Sequence, residues 1–277
     1  MNAMELSEHA PAKLNLALHV TGQRGDGYHL VDSLVCFAAI GDVVHLSPGP
    51  LSLTINGPFG GGLDPGDDNL CLRAARLAGV QAAISLTKNL PVASGIGGGS
   101  ADAAAVLRGL RRMGHILPGG LEGLGADVPV CLASQPVRMQ GIGEQLTPLP
   151  PLPPLQLVLA NPGLSLSTPQ VFAQMENRQN PPLPPVPDFP DLAALIHWLR
   201  GTGNDLEAPA LRLAPVIGEV ILALLGSGAV LARMSGSGAT CFGIFENASR
   251  AANAAKRLRQ HGWWAVHTEL APPPATG

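Results

Sequence analysis

The chain has 277 residues, room for two domains of ordinary size, and 46% of them are hydrophobic, enough to build cores. A formal net charge of −3 and a charged fraction of 13% leave no basic excess, which argues against nucleic acid or an anionic membrane surface as partner. The 34 glycines and 27 prolines describe a globular chain with many turns.

In chain order, residues 12–20 alternate Leu14, Leu16, Leu18 and Val20 against Lys13, Asn15 and His19, the period of a half-buried strand. GQRGDGYH is a turn segment, LVDSLVCFAAI a second strand, and VVHLS and LSLTIN two more. A glycine-rich loop, GPFGGGLDPGDD, precedes a short helix over 69–79 with Asp68 as its N-cap. A strand over 83–88 then feeds a glycine run, and Ser100–Met113 has helical composition, so the order is strand, glycine loop, helix. The proline cluster TPLPPLPPLQ is the expected domain boundary, dividing 1–152 from 153–277. Beyond it come a strand (LQLVLANP), a proline-rich loop over 176–190, and helices in DLAALIHWLR and LAPVIGEVILALL. Two strands then flank a glycine turn at SGSG, and a helix ending at Gly262 leads to a last strand, WWAVHTEL. Strands and helices mixed in both halves predict an α+β fold of two domains.

The cysteines Cys36, Cys71, Cys131 and Cys241 are scattered, with no CxxC pair, and are expected to be free, buried thiols in a reducing compartment. The opening MNAMELSEHA carries acids and no apolar stretch, so a secretory signal is not expected. No apolar run approaches the ~20 residues of a membrane span. Together these readings predict a soluble, cytoplasmic protein.

A strand, a glycine turn and a helix N-terminus make an anion site, because unpaired N–H groups and the positive dipole end face the same loop. The P-loop form requires GK[ST], but Gly99, Ser100 and Ala101 stand there. The dinucleotide form G-x-G-x-x-G is nearly met by Gly95, Gly97 and Ser100, without its last glycine and without the N-terminal placement. A tight strand-to-helix crossing that needs glycine only for packing is the alternative to both.

The run Pro91-Val92-Ala93-Ser94-Gly95-Ile96-Gly97-Gly98-Gly99-Ser100-Ala101, followed by Asp102, resembles the nucleotide loop of the GHMP kinase superfamily. PAKLNLALHVTGQRGDGYH at 11–29, GADVPVCL at 125–132, NPGLSLSTPQVF at 161–172, GNDLE at 203–207 and ARMSGSGATCFGIF at 232–245 extend the resemblance over nearly the whole chain. They point to the branch whose acceptor alcohol carries a cytidine diphosphate head and serves isoprenoid precursor synthesis. One departure is Ala101, where that branch usually has a second serine.

The resemblance implies a two-domain fold with its active site in the cleft, and ATP as co-substrate with Mg²⁺ riding on its phosphates. It makes Lys13 and Asp127 the catalytic pair, with Asp127 as base; locally Asp127 also reads as a helix N-cap. Tyr28, His29, Lys88 and Phe172 are expected to hold the cytidine end, with Asn15 near the diol and Thr168 also touching substrate. Asp26 shapes its turn, and Asp102 is expected to face solvent or to meet the metal through water. Gly236-Ser237-Gly238 should pack against the phosphate loop. No dedicated metal ligand is expected from the chain, and it is expected to be a monomer or homodimer. The rival readings are a GHMP-type kinase for another small alcohol and a nucleotide-binding oxidoreductase.

Overall fold

The computed structural model describes residues 5–273. The first four residues of the acidic N-terminal stretch therefore lie outside the described range. Two long strands, β1 (Leu6–Gln23) and β2 (His29–Ser47), form an antiparallel hairpin. The stretches read as separate strands between 30 and 47 are the single strand β2. Bulges in β1 at Pro11/Ala12, Asn15/Ala17 and Val20/Gly22 let so long a hairpin bend, and one of them absorbs the proline that cannot donate to the ladder. Asp26 closes the hairpin turn, its carboxylate accepting from Tyr28 N at 3.2 Å.

Strand β3 (Ser52–Asn56) pairs parallel with β4 (Ala83–Thr87), and helix α1 (Leu70–Leu77) crosses between them. Asn69, not Asp68, caps α1, its side chain accepting from Cys71 N at 3.0 Å. Helix α2 (Gly98–Arg112) starts two residues earlier than composition indicated, so Gly98 and Gly99 lie in its first turn. A short α3 (Val128–Ala133) and the hairpin of β5 (Val137–Gly141) and β6 (Gln145–Pro148) complete this half. The six-stranded sheet runs β3-β4-β2-β5-β6, with β1 on β2.

The second half carries a four-stranded sheet in the order β10-β7-β9-β8, built from β7 (Gln156–Asn161), β8 (Leu231–Met234), β9 (Cys241–Phe245) and β10 (Trp264–Glu269). Its helices are α4 (Thr168–Ala173), α5 (Leu192–Arg200), α6 (Glu207–Leu213), α7 (Val216–Gly226) and α8 (Ala248–Arg259). No single helix among the described residues is long and apolar enough to cross a membrane. All four cysteines are buried and free.

One core lies between α2 and the first sheet, with Phe37, Leu86, Val106 and Leu107 in it. Another lies under α7 and α8, around Val158, Val220 and Leu258. A third is shared by both halves: Leu14, Leu16, Leu90 and Ile96 pack with Leu157, Leu159, Phe242 and Ile244. Strand β1 is consequently buried on both faces from Ala10 to Leu18, although its alternation promised one solvated face. Lys13 and Asn15 occupy that second face, and it looks into a cleft.

The halves also meet backbone to backbone. Thr240 N donates to Ser94 O at 3.0 Å, and Ser235 Oγ donates to Gly95 O at 3.2 Å. Gly95 has φ +76°, and a Cβ there would lie 2.5–2.7 Å from Ser235 O and the N and O of Gly238. No side chain fits that gap, so Gly95→Ala is expected to cost ~2 kcal/mol or more in urea denaturation. Gly99→Ala, whose Cβ would meet only Leu70 Cδ1 at 3.6 Å, should hold stability level or raise it. Equal effects from the two substitutions would contradict this account of Gly95.

Candidate active site

A cavity of about 1290 Å³ lies between the halves. Its centre is set by β1. Lys13 N donates to Ile96 O at 2.9 Å, and the Lys13 ammonium, in a side chain 5% exposed, reaches Asp127 Oδ1 at 2.6 Å. Asp127 occupies the N-cap position of α3 but makes no side-chain cap bond. Its carboxylate is committed to Lys13 and remains 36% exposed, open to the cavity.

Along one side runs the loop from Pro91 to Ala101, which lines the cavity through Pro91–Gly95 and Gly97–Ser100. Ile96 and Ala101 are fully buried behind it. Gly97 has φ +66°, and its α-carbon sits so close to Lys13 that a Cβ would lie 3.2 Å from Lys13 Cβ. The first backbone bond of α2 runs from Ala101 N to Gly97 O at 2.8 Å. The N–H groups of Gly98, Gly99 and Ser100 therefore precede the ladder, at the positive end of a 15-residue helix. From the other half, Gly236 and Ser237 of the SGSG turn line the same cavity.

Beneath that loop, at the end of β4, lies Lys88, 3% exposed. It donates to Asp42, and to Asp102 Oδ2 at 2.7 Å. Asp42, fully buried, also accepts from the N–H groups of Asn89 and Leu90 at 2.6 and 2.9 Å. Burial works against the charge on Lys88, but Asp102 and Asp42 outweigh it and raise its pKa. Burial pushes the Asp102 carboxyl up to about 7; Lys88 opposes that rise and Asp42 adds to it. Asp102 is thus interior, 3% exposed, and not the solvent-facing acid that its place in the first turns of a helix suggested. Its Oδ1 has no partner.

At the opposite end, the rings of His29 and Phe172 stack with centroids 4.2 Å apart at 20°. Tyr28 beside them is 56% exposed. Burial, and then the nearby Arg178, lower the pKa of His29, favouring neutral imidazole. His29 Nε2 and Arg178 Nε are both without partners. Between the ends, Asn15 donates to Ser33 Oγ at 2.8 Å and keeps an unpartnered Oδ1, while the Thr168 and Ser237 hydroxyls pair at 2.7 Å.

Ile96 and Ala101 apart, the structure gathers the expected residues around one cavity, with one rearrangement. Lys88 stands under the glycine loop, its amine 3.3 Å from where a Cβ on Gly98 would lie, and not beside the His29–Phe172 stack. Two carboxylates of its own sheet and helix hold it there. The cation at the aromatic end is Arg178, which nothing in the proline-rich loop around it had signalled. Among the described residues no group of three or more His, Cys, Asp or Glu side chains is arranged to hold a metal ion.

A two-layered α+β pair with a glycine loop at the cleft defines the GHMP kinase class. The GHMP kinase N-terminal domain family matches residues 69–134 and the C-terminal family matches 184–262. Homoserine kinase from Cytophaga hutchinsonii (18% identity, TM-score 0.63, covering 97% of this chain and 95% of that one) shares the fold. A curated relative from Paracoccus denitrificans, 4-diphosphocytidyl-2-C-methyl-D-erythritol kinase, is 62% identical over 96% of this chain and 97% of its own length. The enzyme of the same name from Ruegeria pomeroyi is 54% identical over 95% and 99%. A crystal structure of 4-(cytidine 5'-diphospho)-2C-methyl-D-erythritol kinase superposes with a TM-score of 0.77 at 34% identity, covering 96% of this chain and all of the other. The chain belongs to the 4-diphosphocytidyl-2-C-methyl-D-erythritol kinase family.

The buried triad makes a stability prediction. Asp42→Ala strips Lys88 of one carboxylate and leaves two backbone N–H groups without an acceptor, at an expected cost of ~3 kcal/mol or more. Asp102→Asn leaves a neutral Lys88–Asp42 pair and should cost about 1 kcal/mol or less. Chemical denaturation of both variants checks this, and a reversed order would contradict it.

Proposed function

We propose that this chain is an ATP-dependent kinase that phosphorylates the 2-hydroxyl of 4-diphosphocytidyl-2-C-methyl-D-erythritol, in the non-mevalonate route to isoprenoid precursors. The observation that carries the reading is the Lys13–Asp127 contact of 2.6 Å, set between a helix N-terminus built from glycine and a pair of stacked rings. In-line phosphoryl transfer needs a phosphate cradle, a cation at the developing charge and a group to take the acceptor proton. Side chains and backbone suited to those three tasks line one cavity, which supports the reading.

In this reading the residues from Pro91 to Ala101 hold the β- and γ-phosphates of ATP, chiefly by the N–H groups that open α2. The acceptor oxygen attacks the γ-phosphorus as the bond to the β-bridging oxygen breaks. Its proton passes to Asp127, and ADP leaves. Lys13 holds Asp127 in place and faces the negative charge that builds on the transferring group. A divalent cation bound with the nucleotide would be held chiefly by the phosphates themselves and would supply neutralisation of their charge. Asn15 Oδ1, buried and unpartnered, suits a hydroxyl donor of the acceptor diol. Tyr28, His29 and Phe172 hold the cytidine end, with Thr168 along the way between.

We place the boundary between the two halves at 152/153, a reading supported by the proline segment that separates the strands Gln145–Pro148 and Gln156–Asn161. A small-molecule substrate with a cytidine diphosphate head is the partner proposed, in the cytoplasm, for a monomer or homodimer. A general base contributes roughly 10²–10⁴-fold, so Asp127→Asn should lower kcat by about 10²-fold or more with little change in either KM. Steady-state kinetics on the folded variant checks this, and near-normal turnover would return Asp127 to a merely structural place at the start of α3.

A further inference from the structure

Asp102 lies one turn inside α2 and lines the cavity beside the glycine loop. Its Oδ2 is fixed by Lys88, while Oδ1, buried, has no donor. A buried acceptor left unpaired is expensive, so this oxygen calls for a ligand. To an ionised Oδ1 the phosphates of a nucleotide offer acceptors only, whereas a cation would pair with it and keep the carboxylate charged against the burial that pushes its pKa up to about 7. A second carboxylate, Asp42, shares the same lysine, so acidic groups outnumber basic ones beneath a loop that is to receive a triphosphate. A cation lying between them and the phosphates resolves both difficulties. Ala101 brings no hydroxyl to this turn, which leaves Ser100 and Asp102 as the side chains with oxygen to offer between Gly98 and Ala105.

We propose that Asp102 Oδ1 is the chain's own contact for the divalent cation carried by the nucleotide, made through a metal-bound water. The inference rests on the ATP reading above. Magnesium gives up its waters reluctantly and is usually held by one or two carboxylates together with substrate phosphates. The bond from Lys88 to Oδ2 fixes the carboxylate so that Oδ1 keeps one direction, as outer-shell partners do at metal sites.

The test uses Mn²⁺ and a non-hydrolysable ATP analogue, adenylyl imidodiphosphate, with binding read by calorimetry in the presence and absence of the metal. The natural protein should bind the analogue more tightly with Mn²⁺. Asp102→Asn should lose about tenfold or more of that gain, with metal-free binding unchanged or tighter because one negative charge has gone. A fall in both affinities together would mark a structural role and overturn the proposal, as would a manganese gain equal to that of the natural protein. If the natural protein bound the analogue under neither condition, the ATP reading itself would fail. Should Asp102→Asn not fold, anomalous scattering from Mn²⁺ in crystals of the natural protein with the analogue decides the matter. A peak within about 5 Å of Oδ1, the reach of one bridging water, supports the proposal, and a peak beyond that reach overturns it.

Discussion

The architecture depends on the close approach of two backbones at Gly95. Where the glycine loop meets the 235–238 turn, carbonyl and amide groups of the two halves lie within the space of a single methyl. That contact orients everything around it. It holds the start of α2 toward the cavity, and Asn15 N donating to Ser235 Oγ at 3.1 Å anchors β1 to the same turn. With β1 so held, Lys13 sits under Gly97 and its ammonium has one place to go, to Asp127. Buried elements supply the rigidity, and the loops they fix supply the chemistry.

Charge divides the cleft into two unlike ends. The loop end has a helix N-terminus with two lysines, each held by acids: Lys13 by Asp127, and Lys88 by Asp42 and Asp102. Buried ion pairs are poor stabilisers but good positioners, because breaking one is far more costly than keeping it. The other end is aromatic, with a stacked pair, an exposed tyrosine and one arginine. Among the described residues, buried side-chain atoms without partners fall at Asp102, Asn15, His29 and Arg178, all of which line the cleft. Interior polar groups are ordinarily paired, so atoms left open along a cleft suit a ligand.

The parts of this arrangement that lie close along the chain were legible in the sequence. The glycine loop, the Lys13 strand, the Tyr28–His29 turn and the α+β order all declare themselves within short windows. What escaped notice depends on residues far apart. Alternation in β1 shows that two faces differ, but not that the polar one fronts a cleft and not solvent. Lys88 was expected at the cytidine end and Asp102 at the surface or on the metal through water, and it is Asp42, on another strand, that with Asp102 draws the lysine under the glycine loop. Helix α4 and the β5–β6 hairpin are too short for periodicity to reveal. The cap of α1 moved by one residue, which propensity cannot resolve, since Asp and Asn serve equally.

In the function we propose, the cleft joins a phosphate cradle to a separate clamp for a cytidine head, so that remote binding positions the reacting hydroxyl. A site with unpaired polar groups rejects a ligand that lacks their partners. The direct measurement is ADP release in a coupled assay with 4-diphosphocytidyl-2-C-methyl-D-erythritol and with the same alcohol lacking its cytidine monophosphate unit, as 2-C-methyl-D-erythritol 4-phosphate. Turnover of the whole substrate is expected, with loss of kcat as well as affinity for the truncated one. Equal use of the two would contradict it and leave a GHMP kinase with some other alcohol as its substrate.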